Sequence, residues 1–281
     1  MKLLKFWRVE VLGTLRKMTT ELQSPVKYQL PLGEQLIELN PFIGKDIKLS
    51  YTGNITCVHC QRSIKKTFNQ GFCYPCFISL AQCDMCIMKP ETCHYAEGTC
   101  RESSWGEEFC FQPHYVYLAN SSGVKVGITR HTQVPTRWID QGAVQAMPIL
   151  KAQSRYISGL AEVAIAEHVS DKTSWQRMLK DLQQPVDLWS KRDELLSLCQ
   201  EPLAEITARF GEQAFELLLE EQVVDIQYPV MQYPEKVKSF NFDKVANVEG
   251  VLQGIKGQYL LLDTGVINIR KFTGYEVEFS A

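Results

Sequence analysis

The sequence predicts an α+β fold: a β-β-α-β-α domain that follows a cysteine-rich block, with β-rich segments at both ends. Three observations predict it. Nine of the ten cysteines fall between Cys57 and Cys110. Directly after them, HYVYLANSSGVKVGITR (114–130) reads as two strands around a turn. The ends of the chain alternate apolar and polar residues between glycines and prolines, whereas 150–222 carries helical periodicity.

The N-terminal stretch MKLLKFWRVEV is broken by Lys2, Lys5 and Arg8 and contains no apolar run of about seven residues, so no signal peptide is expected. No window approaches roughly 18 apolar residues, so no membrane helix is expected and the reading is of a cytoplasmic protein. The strands RVEVLGTLRKM, VKYQLPLG and KDIKLSYTGNITC follow, separated by turns at Pro31–Gly33 and Gly44–Lys45. At the other end, NVEGVLQGI, GQYLLLDTG, VINIRKF and YEVEFS have matching strand lengths and turn density. The expectation is that 1–56 and 235–281 pair into one small barrel or sandwich, with everything else inserted between them.

Cys57-x2-Cys60 and Cys73-x2-Cys76 form a pair of knuckles twelve residues apart. Each turn presents two thiolates, and two turns complete a tetrahedron around zinc. The second set is Cys83, Cys86, Cys93 and Cys100; His94 is a possible substitute ligand and Cys110 a further candidate. An iron–sulfur cluster is the alternative for such a set. Four thiolates leave no position for water, so both zinc sites read as structural. Residues 57–110 hold 5 Lys/Arg against 6 Asp/Glu. Thiolate sites add negative charge, so this block is a poor phosphate clamp.

Net charge is −2, which excludes a global field that would draw in a polyanion. The charge is uneven, however. Residues 114–160 hold 5 Lys/Arg against 1 Asp/Glu, and 161–225 hold 6 against 14. The hairpin therefore begins a locally basic stretch. In its first strand Tyr115 and Tyr117 share one face; Val124–Thr129 forms the second strand. A helix near VPTRWIDQGA, a strand AMPILKAQ and the helix SRYISGLAEVAIAEHVS follow. SKRDELLSLCQEPLAEITARFGEQAFELLLEEQ reads as helical, opened by Ser190 and interrupted at Pro202. These readings set boundaries at 1–56, 57–110, 111–234 and 235–281.

The β-β-α-β-α order over about 114–170 resembles the GIY-YIG nuclease domain. The resemblance rests on Val116-Tyr117 in the place of IY, Val126-Gly127 in the place of IG, Arg137 about ten residues on, and Glu162 on the second long helix. With the cysteine block and the phrases PETCHYAEGTCRESSWGE and VGITRHTQVPTRWIDQGA, the chain also resembles an uncharacterised prokaryotic family that joins zinc sites to this domain. The resemblance implies an endonuclease that hydrolyses DNA or RNA. Tyr117 would hold or help deprotonate the attacking water, and Arg137 would neutralise charge on the phosphate. Glu162 would hold one magnesium or manganese ion. The residue types suit that chemistry: a forked guanidinium matches phosphate oxygens, and a carboxylate is a hard ligand.

Two positions depart from the pattern. Tyr115 replaces the first glycine, and Lys125 replaces the second tyrosine. Similar restriction enzymes carry lysine there, and a lysine near a metal and Arg137 is a candidate for proton transfer. Glu167, about 140° further round the helix, is the rival metal ligand. His114, His131 and His168 are outside candidates. Beside the nuclease reading stand a non-catalytic nucleic-acid-binding or adaptor protein that keeps the domain as a platform, and a purely structural role.

Overall fold

The structure is a computed structural model and describes residues 9–169 and 174–281. Met1–Arg8, on which the reading of the N-terminus rests, lie outside the described residues. The chain folds as two compact units, one running up to Phe77 and taking in Gln227–Ala281, the other comprising Ile78–Ile226.

The chain begins with β1 (Glu10–Thr14), β2 (Thr19–Glu21), β3 (Lys27–Leu32), β4 (Gln35–Glu38), β5 (Asp46–Ile55) and α1 (Tyr74–Ser79). The second unit contains α2 (Ser103–Phe109), β6 (His114–Asn120), β7 (Val124–Arg130), α3 (Thr136–Asp140), β8 (Gln145–Ala152) and α4 (Arg155–Ala166). It continues through α5 (Trp175–Leu179), α6 (Leu188–Leu198), α7 (Gln200–Phe210), β9 (Phe215–Leu217) and β10 (Val224–Asp225). The chain then returns to the first unit as β11 (Asn247–Lys256), β12 (Tyr259–Leu262), β13 (Gly265–Asn268) and β14 (Tyr275–Ser280).

In the first unit, strands from both ends share one six-stranded sheet of order β1-β14-β5-β11-β12-β13. β14 runs antiparallel to β1 and to β5, placing Val277 opposite Gly13 and Tyr51, and Phe279 opposite Val11 and Leu49. Alternation decides which side chains go inside: Ile47 and Leu49 of β5 and Val277 and Phe279 of β14 are buried. β2-β3-β4 form a separate three-stranded sheet, with Tyr28, Leu30 and Leu32 buried. Among the described residues no sheet closes into a barrel, which corrects the barrel alternative. The six-stranded sheet runs from β1 to β13 without those two edge strands pairing.

In the second unit the order is β10-β8-β6-β7, and β9 adds to β8. β6 is central between β7 and β8, so it is buried on both faces. Val116, Leu118, Val126 and Ile128 face a core shared with Ile157, Ala161 and Ile165 of α4 and with Leu195, Leu203 and Ile206 of α6 and α7. Ser154 caps α4 by accepting from the Ile157 amide.

Four sequence readings change here. Asp187, not Ser190, caps α6, accepting from the amides of Trp189 and Ser190. Pro202 lies in the first turn of α7 and does not break it, because the amide it lacks has no helical partner there. FELLLEEQ is not helical: Leu217 pairs with Leu150 at the β8 edge. That pairing satisfies backbone groups of β8 and overrides local helix propensity. The cysteine block is also divided. Cys57–Cys76 belongs to the first unit, where Thr56 donates to the Gly274 carbonyl and Arg270 to Gln70. Cys83–Cys110 belongs to the second. A fragment 57–234 therefore separates the first knuckle pair from its sheet. We expect 57–234 to aggregate and 78–226 to stay compact on size-exclusion chromatography.

Candidate metal centre and candidate active site

The four sulfurs of Cys57, Cys60, Cys73 and Cys76 all lie within 4.8 Å of one another. Cys60 Sγ is 3.7 Å from Cys73 Sγ. A tetrahedral zinc with bonds of about 2.3 Å places its sulfurs about 3.8 Å apart. The Cys73 amide donates to Cys57 Sγ at 3.2 Å. Burial pushes the Cys57 thiol up, but amide donation from Cys60, Cys73 and His59 outweighs it and holds the thiol at about 6. Cys76 is pushed up to about 12 by burial and by its three neighbours. Four thiolates in so small a space need a cation at their centre, and this cluster can hold a zinc ion.

The second set is arranged differently from the expectation. Cys86, Cys93, Cys100 and Cys110 line one small cavity together with Asp84 and His94. Cys83 is buried and does not line it. Asp84, Cys86 and His94 bring ligand atoms within 4.8 Å of one another. Asp84 also pairs with Arg101 at 2.7 Å, and His94 Nδ1 meets Thr99 Oγ1 at 2.7 Å.

The β6–β7 register pairs Tyr117 with Gly127 and Ala119 with Lys125. Tyr117 and Lys125 thus share a sheet face as diagonal neighbours. Tyr117 is wholly buried, its ring edge-on to Trp138 of α3 at 6.0 Å. Its hydroxyl donates to Gln141 Oε1 at 3.1 Å, and Arg137 donates to it. Burial above all, and then Glu162, raises the Tyr117 pKa; Arg137 and Gln141 lower it. Arg137 and Glu162 therefore both act on one phenol, Arg137 through a hydrogen bond and Glu162 through its charge, although they come from different helices. Arg137 and Glu162 are both half-buried, and Lys125 is buried. Glu167 is exposed at the end of α4 and acts on Cys199, so the rival carboxylate points elsewhere.

The glycine opposite Tyr117 has a steric reason. A Cβ on Gly127 would lie 2.6 Å from Tyr117 Oη and 2.7 Å from its Cζ. The ring lies across the bare backbone and has no room to withdraw from a packed core. Gly127→Ala should lower stability by about 1–3 kcal/mol, the usual range for an overpacked core. Chemical denaturation with unchanged midpoint in the variant would refute this packing.

Sequence reasoning missed two residues. Gln141 stands one helical turn after Arg137, and that spacing was its only signal. Arg155 opens α4, and its environment includes Cys110, Arg137, Glu162 and Cys86. Burial lowers its pKa most, and Arg137 lowers it further. Its sequence signal was membership of the basic stretch. Among the histidines, His114 is fully buried, with Nδ1 donating to the Gln112 carbonyl at 2.8 Å; burial lowers its pKa to about 4, so it is neutral at pH 7. His131 and His168 are exposed.

A family model described as "Protein of unknown function (DUF2797)" matches residues 44–277. The chain belongs to the DUF2797 family. The matched region includes both cysteine sets and Tyr117, Lys125, Arg137 and Glu162, and leaves out β1–β4. No curated protein and no solved structure matches the chain. Among the described residues, no helix is long and apolar enough to cross a membrane.

Proposed function

We propose that the second unit is a metal-dependent phosphodiesterase of the GIY-YIG type, hydrolysing DNA or RNA. One observation carries the reading: Arg137 and Glu162, 25 positions apart, both act on the buried Tyr117, whose ring lies over Gly127. A cation donor and a carboxylate acting on one fixed phenol are the parts of a minimal one-metal phosphoryl-transfer set.

In this reading Arg137 clamps a non-bridging phosphate oxygen through its fork and offsets charge that builds up at phosphorus. Tyr117, raised by burial and donating to Gln141, is a poor base at neutral pH. It orients Arg137, and Lys125 is the remaining candidate for moving a proton. Glu162 would hold magnesium or manganese; a single carboxylate suits an ion that keeps its waters and takes the rest of its shell from phosphate. The bound ion would polarise the phosphoryl oxygen and stabilise the leaving oxygen. The cysteines contribute two structural zinc ions, the first held by Cys57, Cys60, Cys73 and Cys76. Elemental analysis of protein purified without added metal should give two zinc per chain; substantial iron would replace zinc with a cluster.

The adaptor reading keeps the same locally basic stretch, residues 114–160, without turnover. Labelled single- and double-stranded DNA and RNA, incubated with magnesium, separate the two. Cleavage of any substrate supports the enzyme. Binding at low salt without cleavage supports the platform, and no binding refutes both.

A further inference from the structure

We propose that Asp84, Cys86 and His94 bind one divalent ion of the zinc class through an oxygen, a sulfur and a nitrogen, with Thr99 and Arg101 as positioning residues and one coordination position left open. The proposal replaces four thiolates by one in the second zinc of the reading above and rests on nothing else in it, so the outcome of cleavage assays does not bear on it.

The three ligand atoms all lie within 4.8 Å of one another. Cys93, Cys100 and Cys110 line the same cavity, but among the described residues no three thiols there gather at one point. Local structure brings the donors together. Asp84 caps the 3-10 turn Met85–Ile87 and accepts from the Cys86 amide at 3.2 Å, which sets its carboxylate beside that cysteine. His94 directly precedes the turn Tyr95–Glu97. Gly98 ends that turn at φ +72°, a conformation open to glycine without steric cost, and the chain returns Thr99 to the His94 ring.

Hydrogen bonding fixes the tautomer of His94. The Thr99 hydroxyl donates to the His94 carbonyl at 3.2 Å, so its oxygen accepts from Nδ1–H at 2.7 Å. Nε2 then carries a lone pair, and it faces Asp84 Oδ1 at 3.5 Å. Two acceptors face each other in this way only across a cation. A proton on Nε2 is the rival cation, but it would draw the pair to the about 2.7–2.9 Å of a charge-assisted hydrogen bond. The separation of 3.5 Å instead matches the edge of about 3.4 Å in a tetrahedron with bonds of about 2.1 Å. The carboxylate is held from its other oxygen: Arg101 Nε donates to Oδ2 at 2.7 Å, and Arg101 Nη1 donates to the Leu80 carbonyl at 3.2 Å. Outer partners of this kind orient a ligating imidazole and a ligating carboxylate. Thiolate and carboxylate together supply two negative charges, which match a divalent ion. A thiolate beside an imidazole selects zinc over magnesium or calcium. Three protein donors leave the fourth position to water or a small anion.

The test uses the full chain loaded with zinc, or with cadmium-113 or cobalt(II) in its place. Native mass spectrometry should count two zinc ions in wild type and in Cys110→Ser, and one in His94→Ala. One ion in wild type, two in His94→Ala, or one in Cys110→Ser overturns the ligand set. Cadmium-113 NMR of the wild-type protein needs no variant. One all-sulfur resonance and one of mixed ligation, coupled to an imidazole Nε2, support the set; two all-sulfur resonances overturn it. Thr99→Val keeps every ligand and removes only the hydroxyl. It should weaken zinc at this site about 10- to 100-fold in competition with a chromophoric chelator, the usual loss for an outer partner. Unchanged competition overturns the role of Thr99. Azide added to the cobalt-loaded protein should shift its visible bands, and unmoved bands overturn the open position.

Discussion

Arg137→Ala should abolish cleavage, lowering the rate by at least about 10²- to 10³-fold, the usual cost of removing one transition-state donor. The Arg137 guanidinium can fork onto a phosphate, and it also donates to Tyr117. Arg137→Lys should not restore the rate, because an ammonium keeps the charge but not the fork. Glu162→Gln provides the contrast. It should remove metal-dependent turnover while leaving affinity for nucleic acid nearly intact, since every cation remains. Initial rates with magnesium and binding isotherms in its absence check both. Full activity in Glu162→Gln would remove this carboxylate from the mechanism, and full activity in Arg137→Ala would end the nuclease reading of this site.

Cys57→Ser should produce insoluble protein. Structural zinc contributes about 10–16 kcal/mol in small zinc-folded peptides, as much as or more than the roughly 5–15 kcal/mol net stability of a domain. Cys57 is wholly buried; Thr56 before it donates to the Gly274 carbonyl next to β14, and Val58 after it donates to the Gly71 carbonyl within the knuckle loop. Losing the metal leaves buried thiols facing one another and frees Ser63–Phe72 from its anchor. The check is the soluble fraction after expression, with zinc measured in whatever remains. A soluble variant that still holds two zinc ions would show that Cys57 is not a ligand.

Acid should act through the same thiols. Amide donation holds the Cys57 pKa at about 6, below its ordinary value, so its thiolate contributes stability at higher pH. That contribution is lost as pH falls through about 6 and the proton competes with zinc. Bound zinc moves that competition to lower pH still, so zinc release followed with a chromophoric chelator should be absent at neutral pH and set in only on acidification below about 6; release at neutral pH would contradict it.

The sequence by itself determined the parts whose chemistry is local. CxxC twice at a fixed interval specifies a tetrahedral thiolate cluster, because each turn sets two sulfurs by its own backbone geometry. The hairpin 114–130 was legible because period-two alternation and a Ser-Ser-Gly turn fix register without help from distant residues. That register alone placed Tyr117 and Lys125 on one face. What no local pattern carries was decided by tertiary structure. Cys110 rather than Cys83 reaches the second cavity because α2 and the 3-10 turns bring it there, and loop spacing does not encode that. FEL became an edge strand because β8 offered unpaired backbone, not because of its own propensity. The barrel did not form because the strand order leaves β1 and β13 at opposite edges of the sheet. Arg155 and Gln141 entered the site by packing: one from the capped start of α4, the other from the turn after α3. Their positions follow from the burial of Ile157, Trp138 and Tyr117, and burial depends on the whole core rather than on neighbours in sequence.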